Sequence, residues 1–175
     1  MVNNPNSKID ITPSFSPDGT KVTWASSDTA NGSLDIMVKD LTTGIITNLT
    51  NTGNGTNERW PNWSSDGTKI VYNKRIGKNN LDIWVMNADG SSPRYVAGLQ
   101  GAGKFAEDCC ASFTTDNSSV VFASNRAGNF NIYRYNLANL PATQMTEVAA
   151  RLKQLTSRPL YEGTPAVEAT GTVVY

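Results

Sequence analysis

Four carboxylates recur at one position of a repeating pattern: Asp10, Glu58, Asp108 and Glu162 each stand three residues ahead of Pro13, Pro61, Ala111 and Pro165. Such side chains could do two kinds of work. Gathered at one mouth, they would form an acidic rim that receives a cation, either a Lys or Arg of another protein or a metal ion. Taken singly, each would accept N–H bonds from the loop leading into its own unit, a structural device that repeats because the unit repeats. Beside Glu58 stand Arg59 and Trp60, residue types enriched at binding hot spots, although both could equally pack and pair inside the fold.

Other chemistry is poorly supplied. The chain has no histidine, which disfavours imidazole as base, nucleophile activator or metal ligand. The stretch GLQGAGKF at 98–105 follows the phosphate-binding loop pattern as far as Lys104, then places Phe105 where a Ser or Thr hydroxyl is needed. The next element is a strand, so no helix N-terminus would face a phosphate, and a linker is expected there. Cys109 and Cys110 are adjacent, the wrong spacing for a zinc site, and Glu107 and Asp108 beside them should raise the thiol pKa values. Two inert strand thiols are expected, with a strained vicinal disulfide as the alternative. Arg75 and Arg126 follow similar strands, with Asp82 and Asn131 nearby, and read as loop braces. No cofactor is implied.

The elements that must position these residues come from a repeat. TPSFSPDGTKVTW (12–24), WPNWSSDGTKIVY (60–72), CASFTTDNSSVVF (110–122) and TPAVEATGTVVY (164–175) are versions of one unit. The turn residues Asp18, Asp66, Asp116 and Thr170 are spaced about fifty apart, a period of propeller blades. Short β-branched and aromatic runs cut by Asp-Gly or Asp-Asn predict strands and tight hairpins. Each unit divides into four strands; the third begins at LDIMVKD (34–40), LDIWVMN (81–87) and FNIYRYN (130–136). The fourth is the most variable: GIITNLT, PRYVAG and RLKQLTS. TEVAARLKQL offers a short helical turn as an alternative, but its tail fits the repeat as a strand.

The fold expected is an all-β propeller fragment of three four-stranded antiparallel blades plus the first two strands of a fourth. The blades fall at about 10–50, 58–98 and 108–156, with the half blade at 162–175. A ring needs at least about four blades, so further blades or self-association are expected to complete it. Fifteen basic residues balance fifteen acidic ones, which removes the electrostatic footprint of a nucleic-acid binder. No apolar run is long enough to span a membrane, and no secretory signal is visible at the N-terminus.

The pattern PSFSPDGTKV…LDI.V.D…G…LT, together with FASNRAGNFNIYRYNL, resembles the WD-like repeat of TolB-like propellers. It is similar also to tricorn-type and prolyl oligopeptidase-like propeller domains. The GH…WD residues of true WD repeats are missing, and Ala111, Asn117 and Thr170 depart from the pattern. The resemblance implies a non-catalytic scaffold binding a protein or peptide at its channel mouth, in a periplasmic or secreted setting. The alternative it implies is a substrate-gating domain of a larger peptidase.

Overall fold

Each Asp-Gly or Asp-Asn turn folds back two strands by the same set of bonds. Ser16 Oγ donates to Asp18 at 2.6 Å, and Thr20 gives its N–H and hydroxyl to the same carboxylate at 3.0 and 2.9 Å. Ser64, Asp66 and Thr68 repeat this, as do Thr114, Asp116 and Ser118. The following residue must take positive φ, and Gly19, Gly67 and Asn117 do so at 70°, 70° and 57°.

A computed structural model describes residues 9–27, 33–53, 55–76, 81–97, 106–138, 152–157, 166–167 and 173–174. All its regular elements are strands. Blade 1 comprises β1 (Asp10–Phe15), β2 (Lys21–Ser26), β3 (Asp35–Asp40) and β4 (Ile46–Asn48). Blade 2 comprises β5 (Thr56–Trp63), β6 (Lys69–Ile76), β7 (Leu81–Asn87) and β8 (Arg94–Ala97). Blade 3 comprises β9 (Asp108–Phe113), β10 (Ser119–Ser124), β11 (Asn131–Asn136) and β12 (Leu152–Gln154). Each is an antiparallel meander in chain order, and β13 (Ala166–Val167) pairs with β14 (Val173–Val174) as a separate two-stranded sheet. The strand at Leu152–Gln154 agrees with the repeat, while residues 146–151 of the helical alternative, Glu162, the 98–105 linker and the Thr170-Gly171 turn lie outside the described residues.

Alternation of side chains lets each blade bury both faces. Ala25 and Ile36 of blade 1 meet Ile70, Tyr72 and Met86 of blade 2. The opposite face of blade 2, with Val71, Ile83 and Val85, meets Phe113, Val120, Phe122, Tyr133 and Tyr135 of blade 3. Full burial of side chains such as Ile83 or Phe122 stabilises by roughly 1.5–3 kcal/mol each. The first strands form the inner row: β1 lies against β5, β5 against β9, and β9 against β13. Polar clips tie that row together. Ser14 Oγ donates to Asn62 Oδ1 at 3.3 Å, and Asn62 Nδ2 donates to the Ala111 carbonyl at 3.1 Å. Phe15 and Phe113 occupy the same repeat position, yet Phe113 is 6% exposed and Phe15 65%, because no described residue covers the far face of blade 1.

Candidate functional site

The inner strands of the three four-stranded blades are each interrupted at one place. The ladder shifts between Ile11 and Ser14, between Arg59 and Asn62, and opposite Val121–Ala123. The residue at the bulge takes left-handed φ each time: Thr12 at 55°, Trp60 at 51° and Cys110 at 60°. Such angles strain β-branched and bulky residues, so the neighbouring blades must hold them in place. One restraint is visible where the Trp60 N–H donates to Thr12 Oγ1 at 3.3 Å. The bulge re-aims the chain just after the carboxylate that opens each inner strand.

The three described carboxylates have different surroundings. Asp10 is half-buried and accepts the Trp24 indole N–H at 3.0 Å. Glu58 is fully buried, accepts the Thr52 hydroxyl at 2.8 Å and pairs with Lys74 at 3.1 Å. Burial pushes the Glu58 carboxyl above its ordinary pKa, with Thr52 and Lys74 pulling the other way. Asp108 is also fully buried and pairs with Arg126 at 2.7 Å. Its pKa is likewise raised by burial, against the pull of Arg126. That guanidinium lies 5.3 Å from the Phe122 ring centroid and 4.9 Å from that of Tyr133. Glu58 and Asp108 are thus turned into the blade seams, each already holding an internal cation.

Arg126 braces its own blade, as its sequence position suggested, but Arg75 reaches forward to Glu107 at 2.6 Å and ties blade 2 to the segment leading into blade 3. Arg59 and Trp60 are half-buried, and Arg59 makes no ion pair with a described residue. Cys109 and Cys110 are free thiols, half-buried on β9. The hydrogen bond between them and then burial raise Cys109, and the same bond lowers Cys110. No group of His, Cys, Asp or Glu among the described residues could hold a metal ion. The Asn73 bond to the Asp108 carbonyl at 2.6 Å, which fixes the start of β9, had no sequence signal because its counterparts are Ala25 and Ala123.

Stacked antiparallel meanders around a shared inner row define a β-propeller, here in partial form. The chain belongs to the TolB beta propeller domain family, PD40, which matches residues 2–159. A TolB homolog of Chlorobium luteolum is 34% identical over 125 residues, which is 71% of this chain and 26% of that protein. TolB from Acinetobacter baumannii is similar with a TM-score of 0.71 at 24% identity, covering 94% of this chain and 36% of that one. A puromycin-hydrolyzing peptidase of Mycobacterium tuberculosis shares the fold with a TM-score of 0.68 at 18% identity, over 97% of this chain and 28% of that one. The chain therefore spans well under half the length of each of these proteins.

Proposed function

We propose that this protein is a non-catalytic TolB-like scaffold that binds a protein or peptide where the inner strands begin. The observation that carries this reading is that Arg59 and Trp60 are neighbours, both half-buried, at a strained bulge. The bulge itself recurs as Thr12 and Cys110, so it is a device of the repeat; the Arg-Trp pair is particular to blade 2. An aromatic platform beside a cation is a common anchor for a partner. In this reading Asp10, Arg59 and Trp60 make the contact, together with Glu162 of the fourth repeat. Glu58 and Asp108 hold the strand starts in position. Membership of the TolB family supports an extracytoplasmic setting for this reading.

A photoreactive residue placed at 59 or 60 should capture a discrete protein adduct in a periplasmic fraction, and one placed at Lys153 on the outer strand should not. Equal capture at both positions would remove the reading. The likeness to a peptidase supports a second one, a gating propeller within a larger enzyme. Hydrolysis of a peptide panel by the full-length protein would select it.

A further inference from the structure

At the seam between blades 1 and 2, one hydroxyl proton faces two carboxylates. Asp35 opens β3 and Glu58 lies on β5, and both are fully buried. Thr52, in the linker between β4 and β5, places its Oγ1 3.0 Å from Asp35 Oδ1 and 2.8 Å from Glu58 Oε2. Its proton can go to one of them, not to both. Thr56 does not make up the difference: its Oγ1 stands 2.6 Å from Thr52 Oγ1 and 2.8 Å from the Gly53 carbonyl, which only accepts. With both acids ionised, one close contact would set the Thr52 oxygen against a carboxylate with no proton between them. A donor arriving from elsewhere would add a bond without filling that contact.

A proton on Glu58 removes the conflict. Glu58 then donates to Thr52 Oγ1, and Thr52 donates to Asp35. The reverse placement is unfavourable, because Asp35 also accepts from Asn48 Nδ2 at 2.8 Å, Thr50 Oγ1 at 3.2 Å and the Thr52 N–H at 3.1 Å, and a proton there would confront these donors. Burial raises the Glu58 carboxyl; Thr52 and Lys74 pull it back, and the Asp35 charge pushes it further up.

Among the described residues, the strands packed against β5 turn Lys74 and Tyr72 of β6 and Asp35 of β3 toward Glu58. The remaining charged groups on those strands are engaged elsewhere or stand at the far end: Asp10 of β1 holds Trp24, Lys21 of β2 pairs with Asp40, and Asp108 of β9 pairs with Arg126. Lys74 thus answers two acids, and its ammonium is drawn also toward the Trp84 ring, 5.4 Å from the centroid.

We propose that Asp35 and Glu58 hold a single proton across Thr52, and that its loss loosens the seam between blades 1 and 2. Two bonds cross that seam at the same place: the Glu58 N–H donates to the Leu34 carbonyl at 2.8 Å, and the Leu34 N–H to Asn57 Oδ1 at 3.2 Å. Because the folded state holds the Glu58 proton more tightly than the unfolded chain does, the seam is closed at low pH and loosens as pH rises through the Glu58 titration, above the ordinary value of 4.5. Nothing has to bind at the mouth for this joint to act, and either can fail without the other.

The test is carboxyl carbon NMR and amide hydrogen exchange on the full-length protein across pH. The Glu58 carboxyl, assigned by its loss in Glu58→Gln, should titrate with a midpoint above 4.5. Protection of the Glu58 N–H should fall about tenfold or more through the same midpoint, while the Ser64 N–H, bonded to the Lys69 carbonyl inside blade 2, keeps its protection. Glu58→Gln gives Thr52 an uncharged donor in place of the acid, so the fall at residue 58 should vanish. Asp35→Asn removes the second charge and should lower the Glu58 midpoint; if that variant does not fold, wild type and Glu58→Gln decide the matter. A Glu58 midpoint at or below 4.5, which a simple ion pair with Lys74 would give, overturns the shared proton. Protection at residue 58 that ignores pH in the wild type, or falls equally in Glu58→Gln, overturns its control of the seam.

Discussion

At the hairpin end of the inner strands, Asp18, Asp66 and Asp116 make the same bonds in every blade, whereas at the starting end Asp10, Glu58 and Asp108 each take a different partner. The hairpin acids answer to groups two residues away in their own turn, so the repeat carries donor and acceptor together. The starting acids answer to side chains on the second strand or just past its end, where the ladder sets Ser26, Lys74 and Ser124 opposite them. Repetition at the first place therefore means a shared local bond. At the second it means a shared charge whose compensation each blade solves separately, through Trp24, Lys74 or Arg126.

The largest effect that would sharpen this contrast is removal of a buried cation. Arg126→Ala strips Asp108 of its partner in a place with no solvent, where Arg126 is 9% and Asp108 0% exposed. A carboxylate left unpaired in such a site costs about 3–5 kcal/mol, to be read as a lower denaturant midpoint. Lys74→Ala should cost less, since Lys74 is 17% exposed and Thr52 still donates to Glu58. Equal, near-zero losses in both variants would break the claim that these pairs close the blade seams.

Acid titration gives opposite signs at the two ends. Asp18 and Asp116 are held down to about 2 by the hydroxyls of Ser16 and Thr114 first, and Asp66 is lowered in the same way by Ser64. Their folded pKa lies below the unfolded one, so their contribution is fully present above about pH 4 and is lost as pH falls toward 2. Glu58 and Asp108 lie above their unfolded values, so protonation favours the folded state, and the contribution of each rises as pH falls through its raised pKa. Replacing Asp18, Asp66 and Asp116 with Asn should flatten the loss of stability between pH 4 and 2. Glu58→Gln should lack the gain, so wild type improves relative to it as pH falls toward 4.5, the ordinary value for Glu. Denaturant midpoints measured across pH would show both limbs, and limbs of the same sign would contradict the comparison.

The hairpins and blade phase were legible because Asp-Gly and Asp-Asn carry their own geometry. The carboxylates at the strand starts were legible as a recurrence, but their destinations were not. Which residue stands opposite depends on a ladder that contains a bulge, and the residues at that bulge, Thr12, Trp60 and Cys110, share no type. Local preference argues against left-handed φ for Thr and Trp, so only the packed inner row could reveal it. Arg75 and Arg126 look equivalent in sequence, yet Arg75 crosses from blade 2 to the segment before blade 3 while Arg126 stays within blade 3, because Glu107 and Asp108, one residue apart, take different partners.

The smallest effect is expected at Asp10. Asp10→Asn keeps an amide oxygen where Oδ1 accepts the Trp24 N–H, and the site is half-buried with no cation among the described residues paired to it. Stability should change by less than about 0.5 kcal/mol. The charge is lost all the same. If the mouth receives a partner through that charge, capture by a photoreactive residue at 60 should weaken in Asp10→Asn while its denaturant midpoint stays at the wild-type value. A loss of stability as large as that in Arg126→Ala would place Asp10 with the buried pairs of blades 2 and 3, and the difference between blades would disappear.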